Sequence, residues 1–193
     1  MDRTGQSGTR VVVDRRRWVT VANGLTFVRV LLAPACASAV AGTQALWAFT
    51  FFWTAVATDY VDGPIARHRG EDSPLGGLLD HASDAFFVCA GIGALASRGL
   101  APPLLAPLVA LAFIQYALDS RALAGQRLRT SPIGRWNGIA YYVLLGTPIV
   151  RDFFALAWPS DGLVVVLGWA LLASTVISML DRARAFLRVP RNG

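Results

Sequence analysis

Residues 30–58 run for 29 positions without one charged side chain. A membrane-spanning helix needs about 20 mainly apolar residues, so this run is too long for one ordinary span and too apolar for a solvated surface. Small and polar residues at 41–44, AGTQ, supply a tight turn that divides it in two. The same window applied along the chain gives six apolar segments, 22–41, 45–66, 76–97, 101–120, 136–156 and 162–181. Composition agrees: of 193 residues, 54% are hydrophobic and 16% charged, against about 25% charged in a soluble domain. Pro102, Pro103, Pro107 and Pro148 fall in these segments. Membrane helices tolerate proline because neighbouring groups satisfy the carbonyls it frees. The expected fold class is all-α, an integral membrane bundle of six transmembrane helices.

The charges give the bundle a direction. No lysine occurs, and with six spans one side collects 15 of the 18 arginines, in the N-terminal tail, beside Arg67 and Arg69, in the loop 121–135 and in the C-terminal tail. Arg98 and Arg151 fall on the other side, and Arg29 lies within the first span. The positive-inside rule then places both termini in the cytoplasm, in a multi-pass protein of the cell (inner) membrane. Arginines gathered between apolar runs suit a lipid bilayer rather than nucleic acid. Residues 11–25, VVVDRRRWVTVANGL, alternate basic and apolar character and suggest an amphipathic helix lying on the leaflet, with Trp18 at headgroup level. The domain reading is a basic tail and interfacial helix over 1–21, the membrane domain over 22–183 and a basic tail over 184–193. The first 20 residues lack the pattern of a cleaved signal peptide. Cys36 and Cys89 sit inside apolar segments and read as small buried hydrophobes.

Against this apolar background stands DYVDGPIARHRGEDSPLGGLLDHASD, residues 59–84. Asp59 and Asp62 are three apart and Asp80 and Asp84 four apart, which on helices puts each pair on one face. The segment HRGEDSP makes a short cytoplasmic turn, so two antiparallel helices would bring all four acids together near the inner membrane surface. One aspartate at the centre of a membrane helix costs about 2.5–3.5 kcal/mol, and like charges held close repel. Hard divalent cations resolve both problems. Two Mg²⁺ ions, with Mn²⁺ as a substitute, match four carboxylates and suit displacement at phosphorus. Gly63, Ala66, Gly76 and Gly77 leave room for a bulky group against the backbone. Arg67, two turns from Asp59 on the same stripe, can offer its planar fork to a diphosphate. Pro64 frees the carbonyl of Tyr60, and a local kink there is expected to turn main-chain oxygens towards the ions.

Asp59-x-x-Asp62-Gly63-x-x-Ala66-Arg67, eight residues, then Gly76-x-x-x-Asp80-x-x-x-Asp84 resembles the complete signature of the CDP-alcohol phosphotransferase (CDP-alcohol phosphatidyltransferase) family. All eight signature positions are present, and six spans in a chain of this length resemble the family core. The resemblance implies a transferase of substituted phosphate groups that moves a phosphatidyl group from a CDP-linked lipid such as CDP-diacylglycerol to a small alcohol acceptor, releasing CMP, in phospholipid biosynthesis. It implies Asp59, Asp62 and Asp80 as metal ligands and Asp84 as both ligand and general base. Gly63, Ala66, Arg67, Ser73 and Gly76 would contact the nucleotide or its diphosphate. ANGLT resembles the segment that completes the nucleotide pocket, which nominates Asn23 and Thr26. Relatives commonly pair through membrane helices, so a homodimer is expected. Gly91, Gly93 and Trp169 are candidates for its interface or, equally, for internal packing.

The acceptor stays open at this point. Family members that make phosphatidylglycerol phosphate tend to carry proline after the third aspartate and lysine after the fourth, where this chain has His81 and Ala85. Arg127, Arg129 and Arg135 could hold a phosphorylated acceptor through bidentate hydrogen bonds, or serve only as positive-inside signal; Asn137 is nearby. His68 and His81 are expected to be dispensable. A membrane prenyltransferase also pairs aspartates with Mg²⁺ and diphosphate, but nothing in it demands Gly63, Ala66, Arg67 and Gly76. An ion transporter keeps its carboxylates near the bilayer midplane, often on broken helices. Here the acids flank a cytoplasmic turn beside an arginine.

Overall fold

A computed structural model describes residues 21–69, 74–119 and 132–188, and among these it contains six α-helices and no strand. They are α1 (Val21–Ala41), α2 (Ala45–Arg69), α3 (Pro74–Ser97), α4 (Leu105–Asp119), α5 (Pro132–Phe153) and α6 (Asp161–Arg188). The tails 1–20 and 189–193 lie outside the described residues, and with them most of the expected interfacial helix.

The helix ends follow local chemistry. The AGTQ break is a turn in which Thr43 takes a left-handed φ of 53°. The Gln44 amide then donates to the Ala39 carbonyl (2.8 Å) and the Thr43 amide to Val40 (3.2 Å). This is a Schellman cap, which satisfies carbonyls the helix leaves unpaired. The same cap ends α3, where Gly99 has φ 74° and the Leu100 amide reaches the Leu95 carbonyl at 2.9 Å. It also ends α5, where Ala155 has φ 51° and the Leu156 amide reaches Arg151 at 2.9 Å. Both α3 and α5 open on proline, whose missing N–H costs nothing at the first helical position.

Several boundaries differ from the expected spans. α4 begins at Leu105 rather than Ala101, because a proline disfavours the helical conformation of the residue before it, which here means Ala101 and Pro102; the Leu105 amide reaches the Pro102 carbonyl (3.0 Å). α5 starts at Pro132, ahead of the expected Trp136. α6 continues past Asp181, its expected end, to Arg188, because DRARAFLR is rich in strong helix formers. α2 runs through Pro64 to Arg69.

α1 packs between α2 and α3. α3 turns its other faces to α4 and α5, α6 lies against α4 and α5, and α2 against α5. The α1 face that meets its neighbours carries Ala33, Cys36 and Val40, all buried, and small residues let backbones approach closely. Elsewhere glycine does the same work. A Cβ on Gly146 would lie 2.7 Å from the Phe52 ring, and one on Gly168 would lie 2.8 Å from Pro102. Gly91 is covered in the same way by Leu145 of its own chain, which makes it an internal packing residue.

The outward faces are apolar. Phe27, Leu31, Trp47, Trp53, Leu111, Val143, Val166, Trp169 and Ile177 are all exposed. Thr50, Thr54 and Thr147 turn their hydroxyls back to the carbonyl four residues earlier at 2.7–2.8 Å, which hides a polar group without needing water. Gly76–Ser97 and Asp161–Arg184 are long and apolar enough to cross a membrane by length and composition, while Thr26–Ala41 and Leu105–Leu118 are shorter apolar helices. Six helices are therefore observed where six spans were expected, and two of them meet the spanning criteria on their own.

Candidate active site

On α1, Arg29, Ala33, Cys36 and Val40 recur at intervals of four, three and four, which is one face of a helix. All four are buried, and Arg29 is 0% exposed. Packing of the small residues carries the arginine inwards to the end where α2 and α3 present acids. Its Nη2 lies 3.0 Å from Asp59 Oδ1 on α2. Its Nη1 donates to Asp80 Oδ1 at 2.9 Å, Asp84 Oδ1 at 2.7 Å and Ser83 Oγ at 2.9 Å, all on α3. Ser83 is held in turn, because its hydroxyl donates to the Asp80 carbonyl (2.8 Å). From α5, the Tyr142 hydroxyl donates to Asp84 Oδ1 (3.0 Å).

The expected convergence of the two acid pairs is met by the three members whose side chains are described. Asp59, Asp80 and Asp84 each offer a carboxylate oxygen within 4.8 Å of the others, close enough to share an ion. The donors are all hard oxygens, two helices supply them, and they already surround one cation, the guanidinium. That set fits a divalent ion of the Mg²⁺ type. Asp62, Gly63, Ala66 and Arg67 belong to the last turns of α2 by backbone, and their side chains lie outside the described residues, as does that of Asn23 on α1. Ser73, Arg127 and Arg129 also lie outside them. Thr26 is one turn before Arg29, and Gly76 one turn before Asp80; both are half-buried.

Asp59 and Asp84 border a cavity of about 480 Å³. Its walls come from α3, α4, α5 and α6. Arg135, Asn137 and Arg182 supply polar lining, and Val88, Val109 and Phe113 apolar lining. Of the three arginines expected at an acceptor site, Arg135 lines this cavity. His81 and Ala85, each following an aspartate of the cluster, line it too. Tyr116 stacks between partners from two helices, with the His81 ring 5.8 Å away and the Arg182 guanidinium 5.1 Å from its centroid. Tyr116 is only 7% exposed, yet its hydroxyl and the neighbouring Gln115 Oε1 have no hydrogen-bond partner among the described residues. Buried polar atoms are nearly always paired, and both of these residues line the cavity. Asn137 is anchored by the Ser174 hydroxyl (2.6 Å), and Tyr141 shares a 2.7 Å hydrogen bond with Thr175.

Arg29 and the α4/α6 wall are what the sequence reading missed. The wall could not be found from spacing, since Gln115 meets the Met179 carbonyl across 64 residues. Arg29 had a signal, the stripe of small residues that continues from it.

The family model for CDP-alcohol phosphatidyltransferase matches residues 19–180. A CDP-diacylglycerol–glycerol-3-phosphate 3-phosphatidyltransferase of Cereibacter sphaeroides is 28% identical over 135 residues, 65% of this chain. The match spans 61% of that relative's own length. No solved structure matches the chain.

Proposed function

Because the chain belongs to the CDP-alcohol phosphatidyltransferase family, we propose that it transfers a phosphatidyl group from CDP-diacylglycerol to the hydroxyl of a small phosphorylated alcohol, releasing CMP. The observation that carries this reading is the meeting of Asp59, Asp80 and Asp84 at the edge of a cavity lined by Arg135, Arg182, Gln115 and Tyr116.

In this reading Asp59, Asp62, Asp80 and Asp84 hold two divalent ions, Mg²⁺ or in its place Mn²⁺, which supply charge neutralisation at the donor's diphosphate. Asn23, Thr26, Gly63, Ala66, Arg67, Ser73 and Gly76 receive the CDP moiety. The acceptor enters the cavity with its phosphate towards Arg135 and Arg182. Its hydroxyls then meet Gln115 and Tyr116, giving those buried atoms the partners they lack among the described residues. Asp84 takes the proton of the attacking hydroxyl. The hydroxyl oxygen bonds to the phosphorus that carries diacylglycerol. The bond from that phosphorus to the bridging oxygen breaks, and its electron pair leaves with CMP. His81 and Ala85 line the acceptor's side, so their departure from proline and lysine bears on which phosphorylated alcohol fits.

The reading extends to the setting. Six helices cross the cell membrane, with the acid cluster and both termini at the cytoplasmic face, supported by the arginine asymmetry and the apolar outward surfaces. Two copies pair in the bilayer; Gly93 and Trp169 face outwards and are available for such a contact.

The test uses membranes containing the protein, labelled CDP-diacylglycerol, Mg²⁺ and a panel of free and phosphorylated alcohols. The expected result is CMP release that requires a phosphorylated acceptor, stops in EDTA, returns with Mg²⁺ or Mn²⁺, and is absent in Asp84→Asn. Release without an acceptor, or release with free alcohols alone, would refute it.

A further inference from the structure

We propose that Arg29 is a positioning residue that assembles the carboxylate cluster for its cation, gripping one edge of the acids so that the other edge is presented to the ion. The inference rests on the metal reading above and concerns how the site exists before any ion arrives.

The geometry divides the labour between the two terminal nitrogens of the guanidinium. Nη2 takes the acid on α2, and Nη1 takes both acids on α3. Arg29 is thus the tie between two helices whose facing carboxylates would otherwise repel. For Asp59, Asp80 and Asp84 alike the arginine contact is made to Oδ1. On Asp80, the contact to Oδ2 among the described residues is the His81 Nδ1 at 3.9 Å, beyond hydrogen-bond range. On Asp59 and Asp84 no contact to Oδ2 occurs among the described residues. One oxygen of each carboxylate is therefore oriented by the protein and the other is left for a ligand.

An ammonium could not reproduce this. A lysine offers one compact nitrogen, whereas the rigid fork reaches two helices at once. Ser83 adds a further restraint, since it accepts from Nη1 while bonding to the Asp80 carbonyl, which ties the orientation of the guanidinium to the α3 backbone.

Two rival roles make different forecasts. A guanidinium that merely competes with the ion would, on removal, leave the acids with more net negative charge and bind the ion more tightly. A guanidinium that only holds the fold together would, on removal, lower stability without changing affinity. A positioning role forecasts weaker binding, because alignment is lost even though a repelling positive charge is removed.

The experiment measures Mn²⁺ binding to the full chain in detergent, by titration with electron paramagnetic resonance of the free ion. Wild type, Arg29→Gln, Arg29→Lys and Asp152→Asn are compared. Asp152 lies at the far end of the bundle and controls for loss of stability alone. The expected result is at least a tenfold loss of affinity in Arg29→Gln, a loss nearly as large in Arg29→Lys, and a change under twofold in Asp152→Asn. Unchanged or tighter binding in the arginine variants would overturn the inference. If Arg29→Gln does not fold, Arg29→Lys carries the same forecast with the charge retained. A wild type that fails to bind Mn²⁺ would overturn the metal reading itself, an outcome distinct from binding that ignores Arg29.

Discussion

Replacing Tyr142 by phenylalanine removes one oxygen and leaves the ring. The ring is part of an aromatic cluster, stacked on Phe87 at 6.1 Å with a 12° interplanar angle and 6.4 Å from Phe52. Phenylalanine keeps those contacts, so packing is preserved. What is lost is the 3.0 Å hydrogen bond to Asp84 Oδ1. A hydrogen bond to a charged group contributes about 1.5–3 kcal/mol. The same oxygen still receives Arg29 Nη1 at 2.7 Å, so the lower end of that range applies. If that amount enters the barrier because Asp84 is no longer aimed at the acceptor hydroxyl, the rate falls about tenfold, since about 1.4 kcal/mol is a factor of ten. The assay is CMP release at saturating donor and acceptor, with thermal melting in detergent alongside. The expected pattern is a tenfold lower kcat, an acceptor KM within about twofold, and little change in melting temperature. A rate that stays level would mean the phenol does not aim the base. A rate that rises would mean its main effect is to weaken the base. Either result refutes the reasoning.

At the other end of the bundle, Asp152 accepts from Arg98 Nη2 (2.9 Å) and from Arg151 Nε and Nη2 (2.9 and 2.8 Å). Asp152→Asn is expected to cost about 1–2 kcal/mol, below the cost of breaking a fully buried pair, as a lower melting temperature with kcat retained. Gly146→Ala sets a methyl group against the Phe52 ring and is expected to cost about 1–3 kcal/mol by overpacking, whereas Gly93→Ala, with open space around it, should melt as wild type does. Arg135→Ala is expected to raise the KM for a phosphorylated acceptor about tenfold and leave the KM for CDP-diacylglycerol unchanged. Steady-state kinetics with each substrate varied in turn checks this.

The parts of the site that could be read beforehand are those encoded by local spacing. Three and four residues separate the members of each acid pair, the intervening turn is short, and helical periodicity then determines that they face each other. Asp59, Asp80 and Asp84 meet as expected for that reason. Arg29 was legible in principle. As one charge in an apolar span it reads as an exception to the arginine asymmetry, until Ala33, Cys36 and Val40 are seen to continue its face. Gln115, Tyr116 and Arg182 were not legible, because each is an ordinary position on its own helix and becomes a cavity wall only when α4 and α6 pack side by side. The start of α4 was misjudged for a different reason. Hydropathy does not register that Pro102 and Pro103 each disfavour the helical conformation of the residue before them, so an apolar count runs straight through them.

The tie between Arg29 and the acids of α3 also has a history in time. Asp80 and Asp84 are translated 51 and 55 residues after the arginine they bind. At about 5–20 residues per second of synthesis, α1 waits roughly 3–11 s for these two acids. The contact that closes α1 onto α3 therefore forms after the whole of α2 has been made.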